Sequence, residues 1–323
     1  VRTAAYVNEK LGKKPDLSYE DSLCATIKSH MRKRLEENHV PVPVYYVVEN
    51  WAGFWEAVKA LDGRCIVKPS DNAGSRGVTL LEGGEKTEEE LRRVYDYSKG
   101  NSRNGIVMVE EFMSGAEVSV EAMTVNGKTE IISITDKYIT QPPYFVEIAH
   151  SEPSRLEGEI QERIREVALQ AIRAIRLQNG PSHTEIKVTE EGPKVVEIAA
   201  RLGGDFITSR LVPLSTGVDL VGASVRLAAG EAPDLSANWQ RAAAIHFIQS
   251  GKGKLRRLEI GEEIFRMDGV EEAVLYKKAG DTTDGTKSSN DRLGHIITVG
   301  RTPEEAMERG RKALERICME YEE

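Results

Sequence analysis

The sequence predicts an α+β fold in which antiparallel sheet dominates. Three observations carry this: strand-like and helix-like stretches alternate after Pro43, Asn126-Gly127 sits between two alternating apolar runs, and Glu190-Glu191-Gly192-Pro193 separates two more. Taken in order, Ser18 and Asp21 form a capping-box pattern, and Leu23, Ile27, Met31 and Leu35 recur every four residues. One amphipathic helix is therefore expected up to about Asn38, with Pro41 and Pro43 stopping it. A strand is expected at 44–47, a helix near 51–61 and a strand at 65–68 that runs into a Gly-containing loop. Strands follow at 106–112 and 117–125, and the Asn-Gly turn leads into a third at 129–135.

Leu156, Ile160, Ile164, Val167, Ala171 and Ile175 lie on one stripe of a long helix, for which Asn179-Gly180-Pro181 supplies the stop. Further strands are expected at 242–248, 272–276 and 296–299. The final helix is opened by Thr302-Pro303-Glu304-Glu305, which combines N-cap, N1 proline and capping box. The polar stretch 280–290 reads as a mobile loop, and no internal repeat is found. The chain has 323 residues, enough for about two domains. The first residue is Val and the opening residues read as the inside of a helix, so residues 1–21 are expected to be a helical remnant of a longer N-terminal part.

Lys and Arg sum to 44 against 52 Asp and Glu, a formal charge of -8, so no basic field exists to draw a nucleic acid partner. Apolar residues make up 40% and charged residues 30%, a globular rather than disordered composition. No apolar run approaches the roughly 20 residues of a bilayer span, and VRTAAYVNEKLG lacks a signal peptide's apolar stretch. A cytoplasmic protein without a membrane partner is expected. Cys24, Cys65 and Cys318 form no CxxC pair and read as small core residues.

Three stretches could carry chemistry. In HTEIKVTEEGPKVVEIAAR (183–201), pairing symmetric about Glu191 opposes Ile186 with Val196 on one face, and Glu185 with Glu197 and His183 with Ala199 on the other. Opposed carboxylates repel unless a cation lies between them, and oxygen pairs suit Mg²⁺. The same spacing fits a solvated face with Lys187 as counter-charge. In VKPSDNAGSRGV (67–78) a strand delivers Lys68 into a turn with Gly74 and Gly77, whose amides could cradle phosphates beside Arg76. An ordinary turn explains it too, and GxxxxGK[ST] is absent. In VMVEEFMSGAEVSVEAM (107–123), Phe112 and Met113 follow two acids at a strand end, where a flat base could be clamped. A plain hairpin accounts for it almost as well.

The three stretches, in this order and spacing, resemble the ATP-grasp superfamily of carboxylate-amine ligases from Asp21 to about Ala229. HTEIKVT and VEIAARLGGDF are most similar to the L-amino acid ligases that make dipeptides. The resemblance implies two α/β subdomains with antiparallel sheets clamping ATP over 22–235, and a C-terminal α+β domain over 236–323. It makes Lys28 and Lys68 phosphate-binding lysines, and Ser70, Gly74, Ser75, Arg76 and Gly77 the phosphate loop. Glu110, Glu111, Phe112 and Met113 become the adenine hinge, Glu117 the ribose residue, and Glu185 and Glu197 the ligands of Mg²⁺, or of Mn²⁺ in its place. Arg201 would steady the transferred phosphoryl group or the substrate carboxylate. Glu147, His150, Gly204 and Asp205 would line the substrate pocket, with Glu147 and Asp205 receiving an ammonium group.

Two departures stand out. Many relatives place Asn two residues after the second metal-binding glutamate, where this chain has Ala199; His183 opposite it would fill the vacancy in catalysis, as a ligand, a substrate contact or a donor to a ligand, or else be a satisfied structural histidine. The resemblance further implies a preceding Rossmann-like domain, of which only the last helix is expected here. The implied reaction is ATP- and Mg²⁺-dependent: a small carboxylate, an amino acid, becomes an acyl phosphate that an amine attacks, with a homodimer as the allowed assembly. The alternatives are a phosphoribosylamine-glycine ligase-like enzyme, a biotin carboxylase-like enzyme, and a nucleotide-binding module without turnover.

Overall fold

The structure is a computed structural model that describes residues 1–13, 16–72, 74, 76–142 and 144–322. It divides into two compact units, the first made of 1–131, 142–144 and 158–201, the second of 132–141, 145–157 and 202–323.

The first unit opens with α1 (Arg2–Lys10), α2 (Tyr19–Cys24) and α3 (Lys28–Glu37). The single helix expected over this stretch is thus two, broken at Ala25–Ile27. Ser18 does cap α2, accepting from the Asp21 amide. The chain is interrupted because the Lys28 amide donates to the Ser70 carbonyl instead of continuing the helix. Apolar residues spaced by four cannot register such a break, since they keep one face on either side of it. There follow β1 (Tyr45–Val48), α4 (Trp51–Ala60), β2 (Cys65–Pro69), β3 (Thr79–Leu81), α5 (Glu88–Gly100) and β4 (Val107–Glu111). The four strands form an antiparallel sheet in the order β1-β4-β2-β3. Phe54, Ala57 and Val58 of α4 and Leu91 and Tyr95 of α5 cover it, packing on Val48, Val67, Val107 and Val109.

The chain continues through β5 (Ala116–Val125), β6 (Lys128–Ile139), β7 (Glu147–Glu152), α6 (Gly158–Ala174), β8 (Gly180–Thr189) and β9 (Gly192–Ala199). The Asn126-Gly127 turn is present with both residues at positive φ. Helix α6 stops at Ala174, before the Asn-Gly-Pro signal, with Arg176 left-handed and Gly180 already in β8. In the first unit β5, β8 and β9 pair antiparallel.

In the second unit a π-helix (Ile207–Leu211) leads into α7 (Val212–Thr216) and α8 (Leu220–Ala228). Then come β10 (Ala242–Ile248), β11 (Lys252–Ile260), β12 (Val270–Leu275), β13 (Thr282–Asp284), β14 (Gly294–Gly300), α9 (Pro303–Leu314) and β15 (Ile317–Tyr321). Strand β10 pairs with β7 and β14, and β14 with β12, all antiparallel. The 280–290 stretch, expected as a mobile loop, supplies β13, which pairs with β11. Thr302 and Pro303 open α9 as expected. The capping box does not close, because the Glu305 carboxylate takes the Arg301 amide. Cys24 and Cys65 are buried, whereas Cys318 is only half-buried. Among the described residues no single helix is long and apolar enough to cross a membrane.

Candidate active site

The hairpin β8–β9 sets the geometry of the first cluster. Its turn is two residues long, pairing Thr189 with Gly192, so regular pairing would carry Ile186 opposite Val195 and Glu185 opposite Val196. A β-bulge intervenes between Glu185 and Ile186, and beyond it Glu185 faces Glu197 and His183 faces Ala199. The carboxylate pairing expected from the sequence holds, while the expected partner of Ile186, Val196, is replaced by Val195. The bulge also puts Val195 and Glu197, two apart, on opposite faces: Val195 is fully buried and Glu197 stays partly exposed.

The neighbouring strand continues the polar face, with Glu117, Ser119 and Glu121 of β5 opposite Lys187, Glu185 and His183. Glu117 is paired with Lys187 at 3.2 Å. Glu121, 1% exposed, meets His183 Nδ1 at 2.5 Å, and His183 Nε2 lies 3.4 Å from Glu185 Oε1. Burial opposes a charge on this imidazole, yet Glu121 and Glu185 outweigh it and raise the pKa to about 10. His183 is therefore held by two carboxylates. Glu121 escapes a motif search because it sits mid-strand, though its place in the 117/119/121 alternation was a signal that could have found it.

Lys28 sits at the start of α3 because of the helix break, with its side chain 12% exposed. Its amine lies 3.0 Å from Glu197 Oε2 and donates to the Asn72 carbonyl at 2.8 Å. It is not the solvated charge that a basic helix suggests. Lys68, at the end of β2, meets Glu110 Oε2 at 2.7 Å. Glu110 also accepts from both arms of Arg32, Nε at 2.8 Å and Nη2 at 2.9 Å. Burial pushes the Glu110 carboxyl up, but Arg32 and Lys68 outweigh it and hold it at about 2. Burial also pushes the Lys68 amine below its usual range, only partly offset by Glu110. Arg32, fully buried, went unread in the sequence among its basic neighbours; its other bonds go to the carbonyls of Val195 and Val196, at 2.8 and 2.9 Å. It thus grips the bulge from behind.

The stretch expected to form a phosphate loop runs from Ser70 to Gly77. Ser70 is buried with its hydroxyl 2.9 Å from that of Ser29. Gly74 and Gly77 are left-handed, and a Cβ on Gly77 would come within 2.7 Å of Asn101. Arg76 is exposed, and Ser75 lies outside the described residues. Glu111 pairs with Lys194 at 2.7 Å, Arg64 lies over the Phe112 ring at 4.6 Å, and Met113 is half-buried. Arg201 is exposed at the end of the first unit.

The remaining candidates fall in the second unit. His150 is buried, its Nε2 3.2 Å from Asp205 Oδ2. Between Asp205 and Glu147 lies a guanidinium that the sequence reading missed. Arg292 bonds Asp205 with both arms, at 2.8 and 2.9 Å, and Glu147 Oε2 at 3.1 Å. Burial alone raises the Asp205 pKa, but His150 and Arg292 hold it well below the usual carboxylate range. Gly204, just before Asp205, is exposed. The acids expected to receive an ammonium group thus already share a cation. Arg292 lies just beyond the stretch read as a mobile loop, which hid it.

The donor set at Glu185 and Glu197 fits a hard divalent cation. Two opposed carboxylates supply oxygen ligands and leave further positions for phosphate and water, the habit of Mg²⁺. Among the described residues no group of three or more His, Cys, Asp or Glu side chains could hold a metal unaided.

Residues 61–209 match the ATP-grasp domain family, and residues 246–322 match L-amino acid ligase C-terminal domain 2. The chain is 30% identical over 295 residues to the protein y4rH of Sinorhizobium fredii, covering 90% of this chain and 60% of that one. It is 34% identical over 170 residues to alanine–anticapsin ligase of Bacillus subtilis, covering 47% of this chain and 36% of that one. The L-amino acid ligase of Bacillus licheniformis has a similar structure, with a TM-score of 0.83 at 21% identity over 100% of this chain and 78% of that one. The chain therefore spans 60% or less of these two curated relatives. The polar sheet face with its opposed glutamates and the buried lysine on the adjoining sheet both lie within the residues that match the ATP-grasp domain, and the second match, downstream of them, is to a C-terminal domain of the L-amino acid ligase type.

Proposed function

We propose that this protein is an ATP- and Mg²⁺-dependent ligase that joins a small carboxylate, an amino acid, to an amine. The observation that carries the reading is the opposed pair Glu185 and Glu197 flanked by Lys28 and His183, in a chain that matches this domain family. A carboxylate oxygen of the substrate attacks the γ-phosphorus of ATP, giving an acyl phosphate and ADP. The amine nitrogen then attacks the acyl carbon, phosphate leaves with the C–O bond electrons, and the nitrogen loses a proton. Mg²⁺, or Mn²⁺ in its place, would neutralise phosphate oxygens when bound to Glu185 and Glu197.

Lys28, Lys68 and Arg201 counter the remaining phosphate charge, and Ser70, Gly74, Ser75, Arg76 and Gly77 surround the phosphates. Glu110, Glu111, Phe112 and Met113 flank the adenine, and Glu117 takes the ribose. His183 orients Glu185, and the group of Glu147, His150, Gly204 and Asp205 serves the acceptor side. The proposal keeps a functional division into 22–235 and 236–323, a cytoplasmic setting and small-molecule partners, with neither nucleic acid nor membrane involved and homodimerisation allowed.

The test is phosphate and ADP release by the full-length protein with Mg²⁺-ATP and single or paired amino acids. Release that needs an amino acid, and that Glu185→Gln and Glu197→Gln each abolish at unchanged melting temperature, is the expected result. Release driven by bicarbonate with biotin, or by phosphoribosylamine with glycine and no other pair, would replace this substrate assignment. Turnover retained in either variant would remove the metal site.

A further inference from the structure

Asp205 and Phe206 are consecutive non-glycine residues in the left-handed region, with φ of 52° and 63°. Such a pair persists only where its surroundings over-determine it. Both side chains are gripped. Arg292, 4% exposed, holds Asp205 through both arms and also donates from Nε to the Glu147 carbonyl at 3.1 Å. Its own plane is fixed over the Phe247 ring at 3.6 Å. The Phe206 ring stacks on His295 at 4.4 Å, and His295 is fixed in turn by the Tyr276 hydroxyl at 2.6 Å and by Glu272 at 2.8 Å. Glu272 ties back to Arg210 at 2.9 Å, inside the π-helix that begins right after Phe206.

Charge settles what the acids do. Glu147 and Asp205 contribute two negative charges; Arg292 supplies one positive charge and Lys137, 3.9 Å from Glu147, a second. His150 lies against Asp205 as well, at 3.2 Å, so both acids already have partners and neither is an uncompensated carboxylate awaiting an ammonium group.

We propose that Arg292 is a positioning residue that pins the left-handed turn at Asp205–Phe206, and that Glu147 and Asp205 are its counter-charges rather than receptors for the substrate's amino group. The element it positions is the Leu202–Phe206 loop, which follows Arg201 in the chain. The inference rests on the ligase reading only for the substrate named in its test.

The test combines hydrogen exchange with steady-state kinetics on the full-length protein. Arg292→Lys keeps the charge and loses the two-armed grip. In Arg292→Lys and Arg292→Gln, exchange across 202–207 should rise at least tenfold while amides of β10 stay protected, and KM for the amino acid should rise tenfold or more with KM for ATP within twofold of wild type. Asp205→Asn should weaken an amino acid and its des-amino carboxylic acid by the same factor. Unchanged exchange across 202–207 in Arg292→Lys overturns the proposal. So does an Asp205→Asn variant that weakens the amino acid alone, because the carboxylate would then be reading the ammonium group. If the wild-type protein releases no phosphate with any carboxylate, the ligase reading fails and the exchange arm alone decides the pin.

Discussion

Arg32 should be the costliest buried charge to remove from the first unit. It makes four hydrogen bonds: two to the Glu110 carboxylate and one each to the carbonyls of Val195 and Val196. In Arg32→Met all four are lost, while the repulsion between Arg32 and Lys68 is relieved and Lys68 still neutralises Glu110 at 2.7 Å. Breaking a buried ion pair by deleting one partner costs roughly 3–5 kcal/mol. Relief of the repulsion places the expectation at the lower end, about 3 kcal/mol. Arg32→Lys, which keeps a charge but not the two-armed fork, should lose about half of that. The assay is urea unfolding followed through Trp51 and Trp55 on α4, in the same unit, with the stability change taken from the midpoint at constant slope. A loss below about 1 kcal/mol in Arg32→Met would refute the reasoning, since the four bonds would then be no better than those the side chain makes to water.

Three further outcomes follow from particular contacts. A Cβ on Gly310 of α9 would lie 2.2 Å from His246 Nδ1, so Gly310→Ala should cost about 1–3 kcal/mol in thermal melting, and His246→Ser should recover part of it. Burial lowers the His246 pKa to about 4, so its neutral form stabilises the fold fully above the unfolded value near 6.5 and loses that contribution as pH falls towards 4. The expected loss is on the order of 2–3 kcal/mol across that window; an equal acid slope in His246→Gln would rule it out. Glu121→Gln should raise the Mn²⁺ concentration needed for half-saturation, read directly by electron paramagnetic resonance, because His183 loses the partner that fixes it against Glu185. Unchanged Mn²⁺ affinity would make Glu121 purely structural.

What could be read from the sequence was what depends on local periodicity. The β8–β9 hairpin was legible from alternation and a turn signal, whereas the pairing of Glu185 with Glu197 came out as expected only because the bulge adds the one residue by which pairing symmetric about Glu191 differs from the register of the two-residue turn. The expected opposition of Ile186 to Val196 failed because a bulge leaves no mark in an apolar Val195-Val196 pair. Helix α5 was not anticipated, although Thr87 and Glu90 do form a capping box that the sequence displays. Arg32 and Arg292 were illegible for another reason. Their partners lie 78 and 163 residues away for Arg32, and 87 and 145 for Arg292, and a lone arginine carries no sign that it will be buried.

The bulge at Val196 also separates two properties that usually travel together in a sheet. It behaves as a phase shifter one residue long: upstream of it the hairpin keeps the count set by its turn, downstream it keeps the count set by the site. Excising Val196 would cancel the offset, bringing Glu197 opposite Glu185 by plain pairing and taking away one of the two carbonyls that Arg32 holds. A chain lacking Val196 therefore retains the alignment of the acids and loses part of their anchorage, so that turnover lost with metal affinity intact would assign the bulge to rigidity, and affinity lost as well would assign it to placement.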